Sequence, residues 1–219
     1  MTFHALVDLD GTITDPRPGI LGAYRHALTS LGLEAPPADD LLWVIGPPLR
    51  HSFPKLGVAP ERIDDALEHY RVFYQAGAMF DAPVYAGMPE TFEALRAEGV
   101  RLILATSKPH VMARPILEHF RLDHHFHAIH GSELDGRNDD KGDLLAHILA
   151  EEGVDPARAV MIGDRLFDVK AAQRHGIPSI GVLWGYGGHH ELTEAGATHL
   201  CAEPDALAAI VTAIRAGQA

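Results

Sequence analysis

The strongest indication of the fold class is the segment Phe3-His-Ala-Leu-Val-Asp-Leu-Asp-Gly-Thr12. Its apolar start predicts a short buried strand over residues 3–8, and two carboxylates, Asp8 and Asp10, lie at its end. In an extended or turning backbone both can face the same side, where one attacks while the other donates and accepts protons. Gly11 permits a tight exit from the strand. An acidic turn is the alternative, because Asp and Gly are common turn residues.

Similar apolar runs recur along the chain and alternate with helical patterns. Further strands are predicted at residues 100–105, 159–163 and 178–183, with a weaker one at residues 127–130. Helices are predicted at residues 89–98, 110–120, 141–152, 166–175 and 205–215. Strands that alternate with helices of this length favour a parallel sheet covered on both faces. The sequence therefore predicts an α/β protein with a three-layer, Rossmann-like core.

Residues 18–81 interrupt this alternation. The segment has helical patterns throughout, with loop signals at Pro36-Pro37, at Gly46-Pro47-Pro48 and at Gly57. We therefore predict a core domain formed by residues 1–17 and 82–219. A helical domain formed by residues 18–81 is inserted between its first two strands.

Composition and charge restrict the possible functions. The 219 residues suffice for a core domain with a modest insertion, and 47% hydrophobic and 22% charged residues are typical of a globular protein. The formal net charge of −12 disfavours nucleic-acid binding, which needs a basic surface. The single cysteine, the lack of a signal-peptide pattern and the lack of a long apolar run predict a cytoplasmic protein without a membrane partner. We expect a monomer or a homodimer.

Polar side chains follow two more of the predicted strands. Thr106-Ser107-Lys108 follows the second strand, where hydroxyls and an ammonium group can hold phosphoryl oxygens. A helix N-cap is the alternative role for these hydroxyls. Asp164 follows the strand at residues 159–163, and Asp168 lies about one helical turn later. Two carboxylates near one point suit Mg²⁺, which prefers oxygen ligands, although a helix cap and a solvated acid are the alternative.

Because the carboxyl ends of parallel strands meet at one edge of a sheet, we expect Asp8, Thr106 and Asp164 to lie close together. Lys141 opens a predicted helix after the polar loop at residues 135–140. A surface lysine in a charged loop is the alternative, and one feature favours a role at the site: the chain has only four lysines.

The order of these motifs resembles that of the haloacid dehalogenase superfamily of phosphohydrolases. The matching positions, which span nearly the whole chain, are Asp8–Thr12, Thr106, Lys141, Asp164 and Asp168. The resemblance implies that Asp8 attacks phosphorus and forms an aspartyl phosphate. It also implies that Asp10 protonates the leaving alcohol and then accepts a proton from the hydrolytic water.

The resemblance further implies a cofactor and a phosphate site. Mg²⁺ would be held by the Asp8 carboxylate, the Asp10 carbonyl and Asp164, with Asp168 in support. The resemblance assigns the phosphoryl oxygens to Thr106 and Lys141, and Ser107 and Lys108 are further candidates from their place after the second strand.

Local sequences resemble the subgroup that contains phosphoglycolate phosphatases and 5′-nucleotidases. They are Ile45–Arg50, Val84–Gly87, Gly131–Gly136 and Gly181–Gly187. The inserted helical domain resembles the small cap of that subgroup, which implies a small phosphorylated metabolite as substrate. Arg50 is the cap residue expected to contact a second anionic group of the substrate, and a solvated helix residue is its alternative. A phosphotransferase of the sugar phosphomutase kind and a non-catalytic regulator are the alternative functions.

One histidine cluster is expected to be unrelated to the site. His124, His125, His127 and His130 lie in a predicted loop and strand remote from the four motifs, and we do not predict a metal site there.

Overall fold

A six-stranded parallel sheet forms the centre of the core. The structure is a computed structural model that describes residues 2–217. Its strands are β1 (Phe3–Val7), β2 (Val100–Pro109), β3 (Phe126–Ser132), β4 (Ala159–Gly163), β5 (Ser179–Val182) and β6 (His199–Cys201). Their order in the sheet is β3-β2-β1-β4-β5-β6, and all neighbours are parallel. The predicted α/β class is confirmed.

Helices flank this sheet and form the inserted segment. They are α1 (Arg17–Ser30), α2 (Leu49–Ser52), α3 (Ile63–Gln75), α4 (Met88–Ala97), α5 (His110–His119), α6 (Lys141–Glu151), α7 (Leu166–Arg174), α8 (Gly188–Ala195) and α9 (Leu207–Gly217). Every residue of β1 and β4 is buried. Because successive side chains of a strand point to opposite faces, this burial requires cover on both faces of the sheet.

One face of the sheet shows how the core is packed. Leu6, Ile103 and Met161 come from the three central strands and form one apolar cluster with side chains of α6 and α7. Leu145 and Ile148 of α6 are fully buried in it. Burial of side chains of this size stabilises the fold by about 1.5–3 kcal/mol each, so this layer fixes the strands that carry the site.

Two elements and one strand length differ from the sequence predictions. The strand β6 and the helix α8 were not predicted, because the strand has three residues and the helix has one fully buried apolar residue, Leu192. Strand β2 continues beyond the predicted end, with a register shift between Thr106 and Pro109. That shift gives the polar segment after Thr106 an irregular backbone at the edge of the sheet.

The chain divides into two compact units. One contains the residues up to Thr14 and from Val84 onward, and the other is Asp15–Pro83. The sequence analysis placed the insertion at residues 18–81, within three residues of these boundaries. The inserted unit has its own aromatic core, in which the Tyr24 ring lies 5.0 Å from the Phe53 ring and 5.1 Å from the Tyr70 ring.

Within residues 2–217, no helix has both the length and the apolar character needed to cross a bilayer.

Candidate active site

Two neighbouring strands and the helix after one of them bring three aspartates together. Asp8 directly follows β1 and Asp164 directly follows β4, while Asp168 lies in the first turn of α7. The Asp8 backbone N–H donates to the Ile162 carbonyl over 2.9 Å, which extends the pairing of the two strands to the site. One carboxylate oxygen from each aspartate lies within 4.8 Å of the other two. The strand ends therefore converge as the sequence predicted.

Glycine is required where the first motif approaches Asp164. Gly11 has a φ of +86°, in the left-handed region that favours glycine. A Cβ atom at this position would overlap the Asp164 carboxylate. The tight exit predicted for Gly11 thus allows the loop after β1 to lie directly against a second acidic side chain.

Lys141 lies between two of the three aspartates. It is the first residue of α6, and its Nζ is 2.6 Å from Asp8 Oδ1 and 2.8 Å from Asp168 Oδ1. Burial alone would lower the pKa of Lys141, but the charges of Asp168 and Asp8 outweigh burial and raise the pKa. The ammonium group therefore stays protonated although the residue is only 6% exposed.

Lys108 makes the corresponding contact with Asp10. Its Nζ lies 2.7 Å from Asp10 Oδ2 and 2.9 Å from Asp10 Oδ1. Burial raises the pKa of Asp10, and the Lys108 charge opposes that rise without cancelling it. A carboxyl group with a raised pKa can carry a proton at a higher pH than an exposed aspartate, as a general acid must.

Thr106 and Ser107, the two residues before Lys108, form hydrogen bonds at the end of β2. Thr106 is buried, and its Oγ1 accepts a hydrogen bond from the Lys108 backbone N–H over 3.2 Å. The Ser107 carbonyl accepts a hydrogen bond from Ser132 Oγ over 2.8 Å, which ties β2 to β3. The segment predicted to bind phosphate thus lies at the same edge of the sheet as Asp8.

The charges of this site favour a divalent cation. Four carboxylates (Asp8, Asp10, Asp164 and Asp168) face two ammonium groups (Lys108 and Lys141), which leaves two formal negative charges. Burial, Asp168 and Asp8 raise the pKa of Asp164 well above its usual range. Burial also raises the pKa of Asp168 to about 6. A bound cation would keep these carboxyl groups ionised.

One buried carboxylate oxygen of the site makes no hydrogen bond in the described part of the chain. Asp164 Oδ1 is buried and has no hydrogen-bond partner within residues 2–217. An unpaired buried carboxylate oxygen is costly, whereas an oxygen that contacts a hard cation is satisfied. The donor set, all oxygen, therefore fits Mg²⁺.

A glycine-rich loop after β5 fixes the orientation of Asp164. The Tyr186 backbone N–H donates to Asp164 Oδ2 over 2.7 Å, and the Gly187 N–H donates to the Asp164 carbonyl over 3.1 Å. A Cβ atom at Gly185 would overlap both the Asp164 side chain and the Gly11 carbonyl. The Trp184 indole N–H donates to the Thr12 carbonyl over 3.0 Å, so one loop connects the first and last motifs.

The contacts of this loop with Asp164 and Thr12 were not predicted from the sequence. Its glycines and aromatic residues indicate a turn, and nothing in the pattern shows which carboxylate the backbone N–H groups contact. A second unpredicted contact comes from α8. There Glu191 Oε1 accepts from the Leu166 N–H over 2.8 Å and lies 2.9 Å from Arg165 Nε, which anchors the start of α7 before Asp168.

Two other predictions concern Arg50 and the histidines at residues 124–130. Arg50 lies in the inserted unit, where its guanidinium is 2.7 Å from Asp64 Oδ1, and both side chains are exposed. Its role in specificity stays a prediction. Within residues 2–217, Asp8, Asp164 and Asp168 are the one group of three or more acidic, histidine or cysteine side chains close enough to share a metal ion. The histidines at residues 124–130 do not form such a group.

Similarity to known proteins agrees with this geometry. Residues 5–182 match the family model described as haloacid dehalogenase-like hydrolase. A 5′-nucleotidase of Pseudomonas aeruginosa is 43% identical over 93% of this chain and 93% of its own. A phosphoglycolate phosphatase of Agrobacterium fabrum is 32% identical over 83% of this chain and 81% of its own.

Two further similarities complete the comparison. The tyrosine-protein kinase PtkA of Mycobacterium tuberculosis is 41% identical over 83% of this chain and 62% of its own. The crystal structure of a predicted phosphatase from Clostridium acetobutylicum superposes with a TM-score of 0.92 at 35% identity, covering 97% of this chain and all of that one. With the site geometry, these matches establish that the chain belongs to the haloacid dehalogenase-like hydrolases and is a phosphatase of that family.

Proposed function

We propose that this phosphatase is a Mg²⁺-dependent phosphomonoester hydrolase that forms an aspartyl phosphate on Asp8. One observation carries the proposal: the Asp8 carboxylate contacts the buried Lys141 ammonium over 2.6 Å and lies beside Asp164 and Asp168. The buried ammonium group holds the Asp8 carboxylate in place, and a carboxylate oxygen held in this way can act as a nucleophile.

The first step transfers the phosphoryl group to the protein. The Asp8 carboxylate oxygen forms a bond to phosphorus, and the bond from phosphorus to the ester oxygen breaks. The departing oxygen takes a proton from Asp10. The raised pKa of Asp10 suits this role, because the carboxyl group must carry a proton when the substrate binds.

The second step returns the nucleophile to its starting state. Water attacks the phosphorus of the acyl phosphate, and Asp10, now a carboxylate, accepts the proton from that water. The bond from phosphorus to the Asp8 oxygen breaks, and inorganic phosphate leaves.

Positive charge is required because a carboxylate and a phosphate dianion repel each other. Lys108 and Lys141 supply two charges at the site, and the Thr106 and Ser107 hydroxyls are the proposed further donors to the phosphoryl oxygens. Mg²⁺, held by Asp8, Asp164, Asp168 and the Asp10 carbonyl, would supply the remaining charge against the phosphoryl oxygens.

We propose that the inserted unit acts as a cap that determines the substrate. The catalytic motifs address only the phosphoryl group, which all phosphate esters share. Both ends of the insertion emerge together, because Thr14 and Val84 form an antiparallel bridge four residues after Asp10. The substrate is then a small phosphorylated metabolite, and nucleoside 5′-monophosphates and phosphoglycolate are the first candidates, because relatives bear the corresponding names.

Phosphoryl transfer to a hydroxyl other than water is the second candidate. It is favoured by the 41% identity to a protein named as a tyrosine kinase, although this chain spans 62% of that protein. The first step would be unchanged, and an acceptor hydroxyl would replace the water in the second.

The experiment measures phosphate release with Mg²⁺ from nucleoside monophosphates, phosphoglycolate, sugar phosphates and an aryl phosphate. Asp8→Asn should lower turnover by at least about a thousandfold, because the amide is nearly isosteric but is not a nucleophile. Asp205→Asn, an exposed aspartate in the same unit, is the matched control and should leave turnover unchanged.

Acid-quenched wild-type protein should carry one phosphoryl group on the peptide that contains Asp8. Retention of more than a few per cent of turnover by Asp8→Asn, or a phosphoryl group on another residue, would contradict the mechanism. Phosphate that appears on an added tyrosine peptide or sugar rather than free in solution would favour the transferase instead.

A further inference from the structure

The edge of the sheet opposite the catalytic residues has a groove of about 400 Å³. It lies where β2 and β3 begin and where α4 ends, whereas Asp8 and Asp164 follow the ends of their strands. Val100, in the groove, and Thr106, near the catalytic edge, are six residues apart on β2, or roughly 20 Å. The groove is therefore separate from the candidate active site.

Cationic and imidazole side chains line this groove. They are Arg96, Arg101, His124, His125 and His127. No Asp or Glu side chain lines it within the described part of the chain. In a protein with a formal net charge of −12, a groove without a carboxylate and with two guanidinium groups is a marked local reversal of charge.

Neither arginine side chain is paired with another group of the described residues. Within residues 2–217, Arg96 and Arg101 make no ion pair and no hydrogen bond through their side chains. The turn between α4 and β2, at Gly99 with a φ of +77°, brings the two arginines to the same groove. Their forked N–H groups are therefore available to an external oxyanion.

A buried histidine with an unpaired nitrogen adds a second, independent observation. His125 lines the groove and is 5% exposed, and its buried Nδ1 has no hydrogen-bond partner in the described residues. Burial lowers the pKa of His125, and the neighbouring His124 and Arg96 charges lower it further, against the opposing effect of Glu93 and Asp123. The ring is then neutral, and one of its two nitrogens carries a hydrogen.

A second histidine near the groove, His4, also has a lowered pKa. Burial lowers the pKa of His4, and the charges of Arg101 and His127 lower it further, although Glu152 acts in the opposite direction. The C-terminal end of α4 contributes about half a negative charge, which two guanidinium groups exceed. Glu93, Asp123 and Glu152 lie near the groove, and Glu152 is 3.6 Å from His127 Nε2, so the positive charge available to a ligand is that of the two guanidinium groups.

We propose that this groove binds a small anion that carries a phosphoryl group. Two guanidinium groups match the two negative charges of a phosphate ester, whereas a single carboxylate would neutralise only one of them. The groove volume lies within the range of small-ligand sites. The proposal is independent of the mechanism at Asp8, because no catalytic residue contributes to the groove.

The test is a titration of ¹⁵N-labelled, metal-free protein with inorganic phosphate, followed by NMR. Sodium chloride at equal ionic strength is the reference. The amide signals of Gly99, Arg101 and His125 report on the groove, while those of Gly11 and Thr106 report on the catalytic edge. We expect saturable shifts at the groove signals that chloride does not produce.

Variants then assign the binding to the two arginines. Arg96→Ala combined with Arg101→Ala should weaken phosphate binding at the groove signals by roughly 10- to 100-fold, since two charge-assisted contacts are lost. Arg114→Ala combined with Lys170→Ala removes two positive charges from exposed sites elsewhere in the same unit, and should change the affinity no more than about twofold. Replacement of both groove arginines by lysine keeps the charge and should give an intermediate affinity, which preserves the test if the alanine variant does not fold.

Three results would overturn the proposal. The groove signals could respond to phosphate and to chloride alike, or saturable shifts could be confined to Gly11 and Thr106. The arginine variants could also bind phosphate at the groove signals as tightly as the wild-type protein does.

Discussion

Replacement of Lys141 by methionine tests whether one buried ammonium group holds the acidic site together. Methionine keeps much of the lysine stem's volume but removes the charge, so loss of packing contributes little. The change leaves Asp8 and Asp168 buried without the cation that lies 2.6 and 2.8 Å from them. Removal of one partner from a buried charge pair costs about 3–5 kcal/mol. For a chain of this size, that loss lowers Tm by roughly 6–20 °C.

The assay is thermal denaturation in the presence of a chelator, followed by circular dichroism. Lys170→Met is the matched control, because Lys170 lies exposed on α7 and forms no ion pair within the described residues. The Tm of this variant should equal that of the wild-type protein. Adding Asp168→Asn to Lys141→Met should recover part of the lost stability, since one of the unpaired carboxylates is removed. A loss below about 1 kcal/mol for Lys141→Met would refute this account of the site.

Three further substitutions test the metal site and the inserted unit. Gly185→Ala should weaken Mg²⁺ binding, measured by calorimetry, roughly 10- to 100-fold, because the new methyl group displaces Asp164, whereas Gly217→Ala should not. Chelation should abolish turnover until Mg²⁺ is restored, and Asp164→Asn should raise the Mg²⁺ concentration required; activity that survives chelation would exclude this role. Arg50→Ala should lower kcat/KM for the best substrate roughly 30- to 150-fold more than for an aryl phosphate, while Asp64→Asn, which removes only its partner, should not.

The core fold could be predicted because its signals are local. Strands β1 and β4 are buried on both faces. In the sequence β4 is a continuous apolar run of five residues, and β1 is an apolar run interrupted only by His4. Helices such as α6 repeat their apolar residues at helical spacing. Strand β6 has neither signal, because three residues are too few to establish a period.

The site could be predicted for a different reason. Asp8 and Asp164 are far apart in sequence, but parallel topology places the ends of β1 and β4 side by side. Because the carboxyl ends of parallel strands lie at one edge of a sheet, the proximity of Asp8 and Asp164 can be predicted without knowledge of their contacts. The strand topology does not give the pairing of charges, and the sequence analysis assigned Lys108 and Lys141 to phosphate without expecting their contacts with Asp10, Asp8 and Asp168.

The contacts of the loop that orients Asp164 could not be predicted from the sequence. The contact from Tyr186 to Asp164 is made by a backbone N–H, and every residue type except proline has one. The side chain of Tyr186 therefore carries no information about the contact. Gly185 and Gly187 are the loop residues whose type reflects the contact, because a Cβ atom at either position would overlap Asp164. In the sequence they cannot be distinguished from ordinary turn glycines.

The charge of the whole protein explains why the site contains its own cations. A chain with a formal net charge of −12 repels a phosphate ester at a distance, so attraction must come from groups close to the bound phosphorus. Lys108 and Lys141 are half of the four lysines in the chain, and both lie at this one edge of the sheet. Lys108 contacts Asp10, and Lys141 contacts Asp8 and Asp168, so carboxylates partly neutralise both charges. The proposed Mg²⁺ would compete with Lys141 for the oxygens of Asp8 and Asp168, which would leave the ammonium group able to contact the phosphoryl oxygens. Metal binding and phosphate binding would then be cooperative. Phosphate affinity should therefore rise with Mg²⁺ in the wild-type protein and rise less in Lys141→Met, and equal gains in the two proteins would exclude this coupling.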